Sequence, residues 1–129
     1  MKQEDKELLL QDLSARLSYK VMCFVEGKDK VYKLKGIIKH RGLWWFEFDG
    51  FRSIEAKPYL RPMSSMTEEE KNEYLNTFKK SIIGTDEEDG RVWTVSSIDW
   101  LNKHYFDYRG LIEKGLAIEV TKENNPYKE

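Results

Sequence analysis

The sequence predicts one α+β domain over residues 1–129, in which a curved antiparallel β-meander of four to five strands, open or barrel-like, packs with three helices. The first observation is a period of two in the hydrophobic pattern of the strand-rich stretch 20–57. The second is helical spacing of apolar residues before that stretch and in the helix-rich stretch 67–106. Short links between consecutive strands favour an antiparallel meander. From about residue 122 the polar sequence predicts a frayed tail.

The first helix is predicted from Glu4 to Leu17. Four of its leucines fall on one stripe, as in a helix that packs against a core, and several polar residues fall elsewhere. The stripe comprises Leu9, Leu10, Leu13 and Leu17, and the polar residues away from it include Glu7, Gln11, Asp12 and Arg16. We therefore expect Asp12 and Arg16 on the side of the helix that faces away from the core.

Four strands are predicted between residues 20 and 57, over 21–25, 31–41, 43–49 and 51–57. Asp49-Gly50 is a strong hairpin signal, because both residues suit the backbone of a tight two-residue turn. Gly36 indicates a bend or bulge in the second strand. The residues expected to face inward are Val21, Cys23, Val25, Tyr32, Leu34, Ile38, Trp44, Phe46, Phe48, Ile54 and Ala56.

The stretch from Lys57 to Glu70 predicts the change from strands to helices. Prolines at positions 58 and 62 lack a backbone donor, so we expect the fourth strand to end by about Lys57. Thr67 and Glu70 have the spacing of a capping box, in which each side chain accepts a hydrogen bond from the other residue's N–H. The helix that follows carries Tyr74, Leu75, Phe78 and Ile82 at helical spacing, with Gly84 at its predicted C-cap.

A third helix and a last strand complete the predicted fold. Ser96 and Asp99 predict the start of the helix, which the segment 107–110 ends. Alternation through Leu116, Ile118 and Val120 predicts the final strand.

The composition indicates a folded protein of the cytoplasm. The only cysteine, Cys23, excludes an intramolecular disulfide and argues against a thiolate zinc site. No apolar run has the length of a signal peptide core or of a membrane span. We therefore expect no membrane contact.

The net charge of −1 conceals an asymmetry along the chain. Residues 18–61 carry ten Lys or Arg and five Asp or Glu, hence +5, whereas residues 62–129 carry nine and fourteen, hence −5. One interpretation is two solvated surfaces of the same domain. The other is a basic sheet face that meets an acidic partner.

No motif assigns catalytic, cofactor-binding or metal-binding residues. The acidic loop 86–90 has the composition of a calcium loop, but its register places Ser96 where the bidentate glutamate is needed. His40 and His104 are far apart in the sequence, and Cys23 lies on a core face where a thiol is inert. We therefore expect no cofactor, and enzymatic activity has no support from the sequence.

The outward face of the meander is the first candidate for function. Aromatic side chains within a basic field can stack bases while the cations neutralise phosphates. Alternatively, a helix covers the apolar part and the lysines only surround it. The face is predicted to carry Met22, Phe24, Ile37 and Trp45 among Lys33, Lys35, Lys39, Arg41 and Lys57.

The second candidate is the segment Asp107-Tyr108-Arg109-Gly110-Leu111. A carboxylate, an aromatic ring and a guanidinium in succession are typical of recognition loops. The alternative is a helix C-terminus in which Gly110 supplies a positive φ.

Three stretches of this sequence together resemble a group of small uncharacterised proteins encoded by gut Bacteroidales and their phages or prophages. They are residues 10–17 (LQDLSARL), 57–67 (KPYLRPMSSMT) and 107–117 (DYRGLIEKGLA). The resemblance implies a cytoplasmic accessory protein of phage or mobile-element context. It implies no activity and no catalytic residues.

These observations lead to three functional hypotheses. The first is a non-enzymatic protein-interaction or modulator module with a protein partner. The alternative is a nucleic-acid-binding module that uses the basic, aromatic sheet face. A small hydrolase is the third.

Overall fold

The computed structural model describes residues 2–81 and 95–127. Its helices are α1 (Gln3–Arg16), α2 (Glu68–Ser81) and α3 (Val95–Lys103), and short 3₁₀ turns cover Leu17–Tyr19 and Met63–Ser65. Its strands are β1 (Met22–Phe24), β2 (Val31–Lys33), β3 (Gly36–His40), β4 (Leu43–Phe48), β5 (Phe51–Ser53), β6 (Lys57–Pro62), β7 (Phe106–Asp107) and β8 (Ile118–Glu119). The predicted acidic loop and the C-cap at Gly84 lie outside the described residues. Within the described ranges, no helix has the length and apolar character needed to cross a membrane.

The described strands form two sheets, and the predicted α+β class is confirmed. The first sheet has the order β2-β1-β6-β7, and β8 also pairs with β6. Strand β1 is antiparallel to β2 and β6, whereas β7 and β8 run parallel to β6. The second sheet is the antiparallel meander β3-β4-β5. Neither of these sheets closes into a barrel.

The predicted second strand is divided between the two sheets as β2 and β3. At the division, Gly36 lies so close to the Glu47 side chain that a Cβ would be 2.6 Å from its Oε1. The alternation changes phase there, so that Ile37 packs against the core while Ile38 pairs with Trp45 on the other face. The predictions that Ile38 faces inward and Ile37 outward are therefore wrong.

Strand β6 corrects the prediction that the strand region ends by about Lys57. It runs from Lys57 to Pro62 and lies between β1 and β7. Proline and the residue before it favour extended backbone, which is also the backbone of a strand, so only the donor is lost. The partner changes along β6: β1 pairs at residues 57–58, β8 at 59–60 and β7 at 61–62. A missing proline donor therefore weakens only one short pairing.

Helix α1 buries two charged residues that the sequence places away from the core. Leu9 and Leu13 are buried as expected, but Asp12 and Arg16 are fully buried as well. Arg16 Nε donates to Asp12 Oδ2 at 2.9 Å within the helix. Charged side chains are rarely buried unless they are paired, and hydropathy does not reveal the pairing.

Thr67 and Glu70 form the predicted capping box at the start of α2. The N–H of Glu70 donates to Thr67 Oγ1 at 3.1 Å, and the N–H of Thr67 donates to Glu70 Oε1 at 3.0 Å. Glu70 also accepts hydrogen bonds from Arg61 Nη1 and Nη2 at 2.7 and 2.8 Å. The bonds from Arg61 lower the pKa of Glu70 to about 2. The first turn of α2 is thereby tied to β6.

The chain after α3 differs from the prediction of a helix that reaches Tyr105. The helix ends at Lys103, and Tyr105 has a φ of 63°. Phe106 and Asp107 then form β7 beside β6. The segment that begins at Asp107 is therefore not a helix C-terminus, and the predicted last strand is reduced to β8.

Tyr127 ties the C-terminal segment to the first sheet. Its hydroxyl accepts from the N–H of Met22 at 3.0 Å and donates to the carbonyl of Tyr59 at 2.8 Å. Met22 and Tyr59 would be the next pair in the β1–β6 register, so the hydroxyl stands where a direct backbone hydrogen bond would lie. The ring stacks on Tyr105 with 3.7 Å between centroids. The prediction of a frayed tail does not hold at this residue.

Candidate functional site

A groove lies between α1 and the inner face of β4, and we call it the α1–β4 groove. It has a volume of about 280 Å³. Leu9 of α1 and Phe46 of β4 are buried and contribute to its lining. The full lining comprises Gln3, Lys6, Glu7, Leu9, Leu10, Gly42, Leu43, Trp44, Phe46, Ile54 and Glu55.

Three large apolar side chains of the groove are about half exposed. The exposed fraction is 48% for Leu43, 45% for Trp44 and 48% for Ile54. Trp44 and Ile54 were expected to face inward, and their exposure has a structural cause. Trp44 shares a face with Phe46 but lies nearer the end of the hairpin, and Ile54 follows the last residue of β5. Exposed apolar residues that surround one concavity mark a binding surface, unlike scattered ones.

The β3–β4 hairpin brings positive charge to this groove. Lys39 pairs with Trp44 across the strands, and its Nζ lies 5.7 Å from the centroid of the tryptophan ring. The turn consists of Arg41 and Gly42, with φ values of 53° and 79°. Two successive positive φ values are those of a tight hairpin turn whose twist matches the strands.

Charged residues also lie in the groove lining itself. Glu55 follows β5, whereas Lys6 and Glu7 lie on α1, and all three are exposed. Since β3 and β5 flank β4 on opposite sides, Lys39 and Glu55 lie on opposite sides of Trp44. Within residues 2–81 and 95–127, none of Lys39, Arg41 and Glu55 takes part in an ion pair.

The predicted basic face is not assembled as one surface. Its members are distributed as follows: Met22, Phe24, Lys33 and Lys57 on one face of the first sheet, Lys35 in the link between β2 and β3, Lys39 beside Trp44, Arg41 in the hairpin turn, and Trp45 on the outer face of the second sheet. The division of the predicted second strand causes this separation. The groove residues Trp44 and Ile54 were missed because alternation reports the face of a strand and not how far the packed helix covers it.

Trp45 already has a cation over its ring. The guanidinium of Arg52 lies 5.2 Å from the ring centroid, and Trp45 Nε1 donates to the carbonyl of His40 at 3.2 Å. The lysines that were expected around Trp45 therefore do not converge on it.

The segment Asp107-Tyr108-Arg109 directs its polar side chains into the fold. The Asp107 carboxylate accepts from the N–H groups of Leu111 and Ile112, each at 2.9 Å. Tyr108 donates its hydroxyl to Asn102 Oδ1 at 2.9 Å. Arg109 Nη1 donates to Asp12 Oδ1 at 2.8 Å. These hydrogen bonds hold the segment in place. Only the exposed parts of these side chains are accessible to a partner.

Asp12, Arg16 and Arg109 form a buried ionic cluster, which we call the Asp12 network. Arg16 Nη2 donates to the carbonyl of Phe106 at 2.6 Å, while Arg16 Nη1 has no partner among the described residues. Both guanidiniums lie over the Tyr108 ring, at 5.3 Å for Arg16 and 4.6 Å for Arg109. The network joins α1 to the segment after β7.

The histidines and the cysteine occupy separate places in the structure. Burial lowers the pKa of His104, whose ring lies 4.2 Å from that of Trp100. His40 is exposed near the β3–β4 turn. Burial raises the pKa of the Cys23 thiol, so it stays protonated. Among the described residues, no three His, Cys, Asp or Glu side chains are grouped to hold a metal ion.

No protein-family model, curated protein or solved structure matches this chain. The geometry of the α1–β4 groove is therefore the basis on which a function is proposed.

Proposed function

We propose that this protein is a non-enzymatic protein-interaction module and that the α1–β4 groove receives a short segment of a protein partner. The observation that carries the proposal is the convergence of half-exposed Leu43, Trp44 and Ile54 on one concavity. Fully burying a large apolar side chain is favourable by roughly 1.5–3 kcal/mol. Binding of an apolar group that covers the exposed parts of these three side chains would therefore be favourable.

The size of the groove favours a short segment over a second copy of the chain. A stable protein pair buries about 800 Å² on each partner. Three half-exposed side chains around a groove of about 280 Å³ offer less than that. Such a volume suits one or two bulky side chains of a partner, and tryptophan is among the residues that contribute most to such contacts.

We further propose that the protein acts in the cytoplasm as an accessory protein or modulator, in the phage or mobile-element context that the family resemblance implies. A segment-binding groove suits that role, because short segments are presented by disordered regions of many regulatory partners.

The test is a selection of peptides of about twelve residues, displayed on phage at random sequence, against the immobilised protein. The dissociation constants of selected peptides are then measured by fluorescence anisotropy for three proteins: wild type, Trp44→Ala and Leu75→Ala. Leu75 is the matched control, because its side chain is 54% exposed but lies on α2, outside the groove lining. We expect Trp44→Ala to weaken binding at least about tenfold, a typical loss for a central anchor. Leu75→Ala should leave binding unchanged.

Other outcomes would overturn the proposal. Peptides that bind Trp44→Ala as tightly as wild type would show that the groove is not the site. Salt-sensitive binding of a single-stranded oligothymidine of about 20 nucleotides, lost in Trp44→Ala, would favour a nucleic-acid partner. A dimer in sedimentation that dissociates in Trp44→Ala would identify a second copy as the occupant. Circular dichroism of both variants establishes that each is folded.

A further inference from the structure

We propose, resting on the function proposed above, that the bound segment is acidic: a bulky apolar side chain enters the α1–β4 groove, and carboxylates beside it contact Lys39 and Arg41. The occupant is thus a peptide segment with an apolar anchor and an acidic flank on the β3 side.

The first support is the positive charge on the β3–β4 hairpin, next to residues that line the groove. Lys39 Nζ stands over the Trp44 ring, and Arg41 precedes Gly42, which lines the groove. Both side chains are exposed, and neither forms an ion pair in the part of the chain that the structure describes. A guanidinium can bind a carboxylate through two parallel hydrogen bonds, which adds orientation to attraction.

The second support is the identity of the residue at position 41. Its φ of 53° lies in the left-handed region, which is unfavourable for most residues that carry a Cβ. Asparagine or glycine would make the same hairpin turn with less strain. The turn geometry therefore does not account for an arginine here, whereas the proposed contact of its side chain with a carboxylate would.

The third support is the opposite charge across β4. Glu55, which follows β5, would repel carboxylates on the β5 side of Trp44, whereas α1 brings both Lys6 and Glu7 to the lining and so adds no net charge. Complementary charge at an interface chiefly fixes orientation and excludes wrong partners. The two sides together select a segment whose acidic flank lies toward β3.

The experiment measures how tightly peptides selected on wild type bind two double variants that carry the same change in net charge. Lys39→Gln with Arg41→Gln removes the two cations of the β3–β4 hairpin, whereas Lys33→Gln with Lys35→Gln removes two exposed cations, one on β2 and one in the link between β2 and β3. Peptides selected on wild type should be enriched in Asp and Glu next to a bulky apolar residue. The groove variant should bind them roughly fivefold to tenfold more weakly, as expected for two partly solvated ion pairs. The control variant should bind them within about twofold of wild type.

Three results would overturn the inference, and they differ in which of the two proposals they refute. Apolar peptides that depend on Trp44 but show no acidic enrichment would refute the acidic segment and leave the groove as a protein-binding site. Peptides whose binding does not depend on Trp44 would refute both. An equal loss in the two double variants would show a general effect of net charge and would also refute the inference.

Discussion

Replacing Asp12 with asparagine should be one of the most damaging single substitutions in this protein. The Asp12 carboxylate accepts from Arg16 Nε at 2.9 Å and from Arg109 Nη1 at 2.8 Å, and its side chain is fully buried. Asparagine has nearly the same shape but no charge, and its amide NH₂ cannot accept from a guanidinium. Arg16 would then stay fully buried without a counter-ion, and its Nη1 already lacks a partner among the described residues.

The expected cost follows from the burial of each partner. Removing one member of a buried ion pair typically costs about 3–5 kcal/mol, because a buried charge is left uncompensated. The Arg109 side chain is 17% exposed, so water can compensate part of its loss. Most of the cost therefore comes from Arg16. With a total stability of about 5–15 kcal/mol, the loss would be a large fraction of the free energy of unfolding.

Urea unfolding at 25 °C, followed by tryptophan fluorescence and by circular dichroism, measures this change in free energy. Glu68→Gln is the matched control, since it also breaks an ion pair of one helix, but the Glu68 side chain is 88% exposed. The control should leave the unfolding midpoint almost unchanged. A cost below about 1 kcal/mol for Asp12→Asn would refute the reasoning, since ordinary surface substitutions cost as little.

Three further predictions concern other parts of the fold. Thr67→Ala should cost about 1 kcal/mol in the same unfolding assay, and an unchanged midpoint would contradict its role as N-cap. The Cys23 thiol should react with a thiol reagent far more slowly in the native protein than in urea, because it is buried and its pKa is raised. The pKa of Glu70 is lowered to about 2 from an ordinary 4.5, so its pair with Arg61 stabilises the fold above pH 4.5 and this contribution is lost as the pH falls toward 2. The stability difference between wild type and Glu70→Gln should accordingly shrink over that range, and a constant difference would contradict the assignment.

The capping box and the order of the helices could be read from the sequence because they depend on local chemistry. Thr67 and Glu70 are three residues apart, and their reciprocal hydrogen bonds need nothing from the rest of the chain. The burial of Cys23 could be predicted for a similar reason, since alternation within one short strand fixes its face.

The division of the strand region into two sheets could not be read in the same way. Gly36 indicated a bend, but the change of phase between Leu34 and Ile37 depends on contacts with β4, which lies further along the chain. Because of this change of phase, the lysines predicted beside Trp45 lie on other parts of the structure. The burial of Asp12 depends on Arg109, which lies 97 residues away in the sequence, and no helical period contains that information.

The α1–β4 groove illustrates a further limit of pattern reasoning. The hydrophobic pattern of β4 correctly places Trp44 and Phe46 on one face. Whether a residue on that face is core or surface depends on how far α1 extends over it. Phe46 is buried and Trp44 is 45% exposed, although they are only two residues apart.

The hydroxyl of Tyr127 gives this protein a built-in reporter of whether its C-terminal segment is docked. The amide proton of Met22 is bonded to a side chain from the far end of the chain and not to a neighbouring strand. Its exchange with solvent deuterium should therefore follow the opening of that segment and not the unfolding of the sheet. Tyr127→Phe would free this amide while keeping most of the ring packing on Tyr105. In the wild-type protein, any partner that pulls the segment away would be detectable at this single amide, 105 residues distant in the sequence.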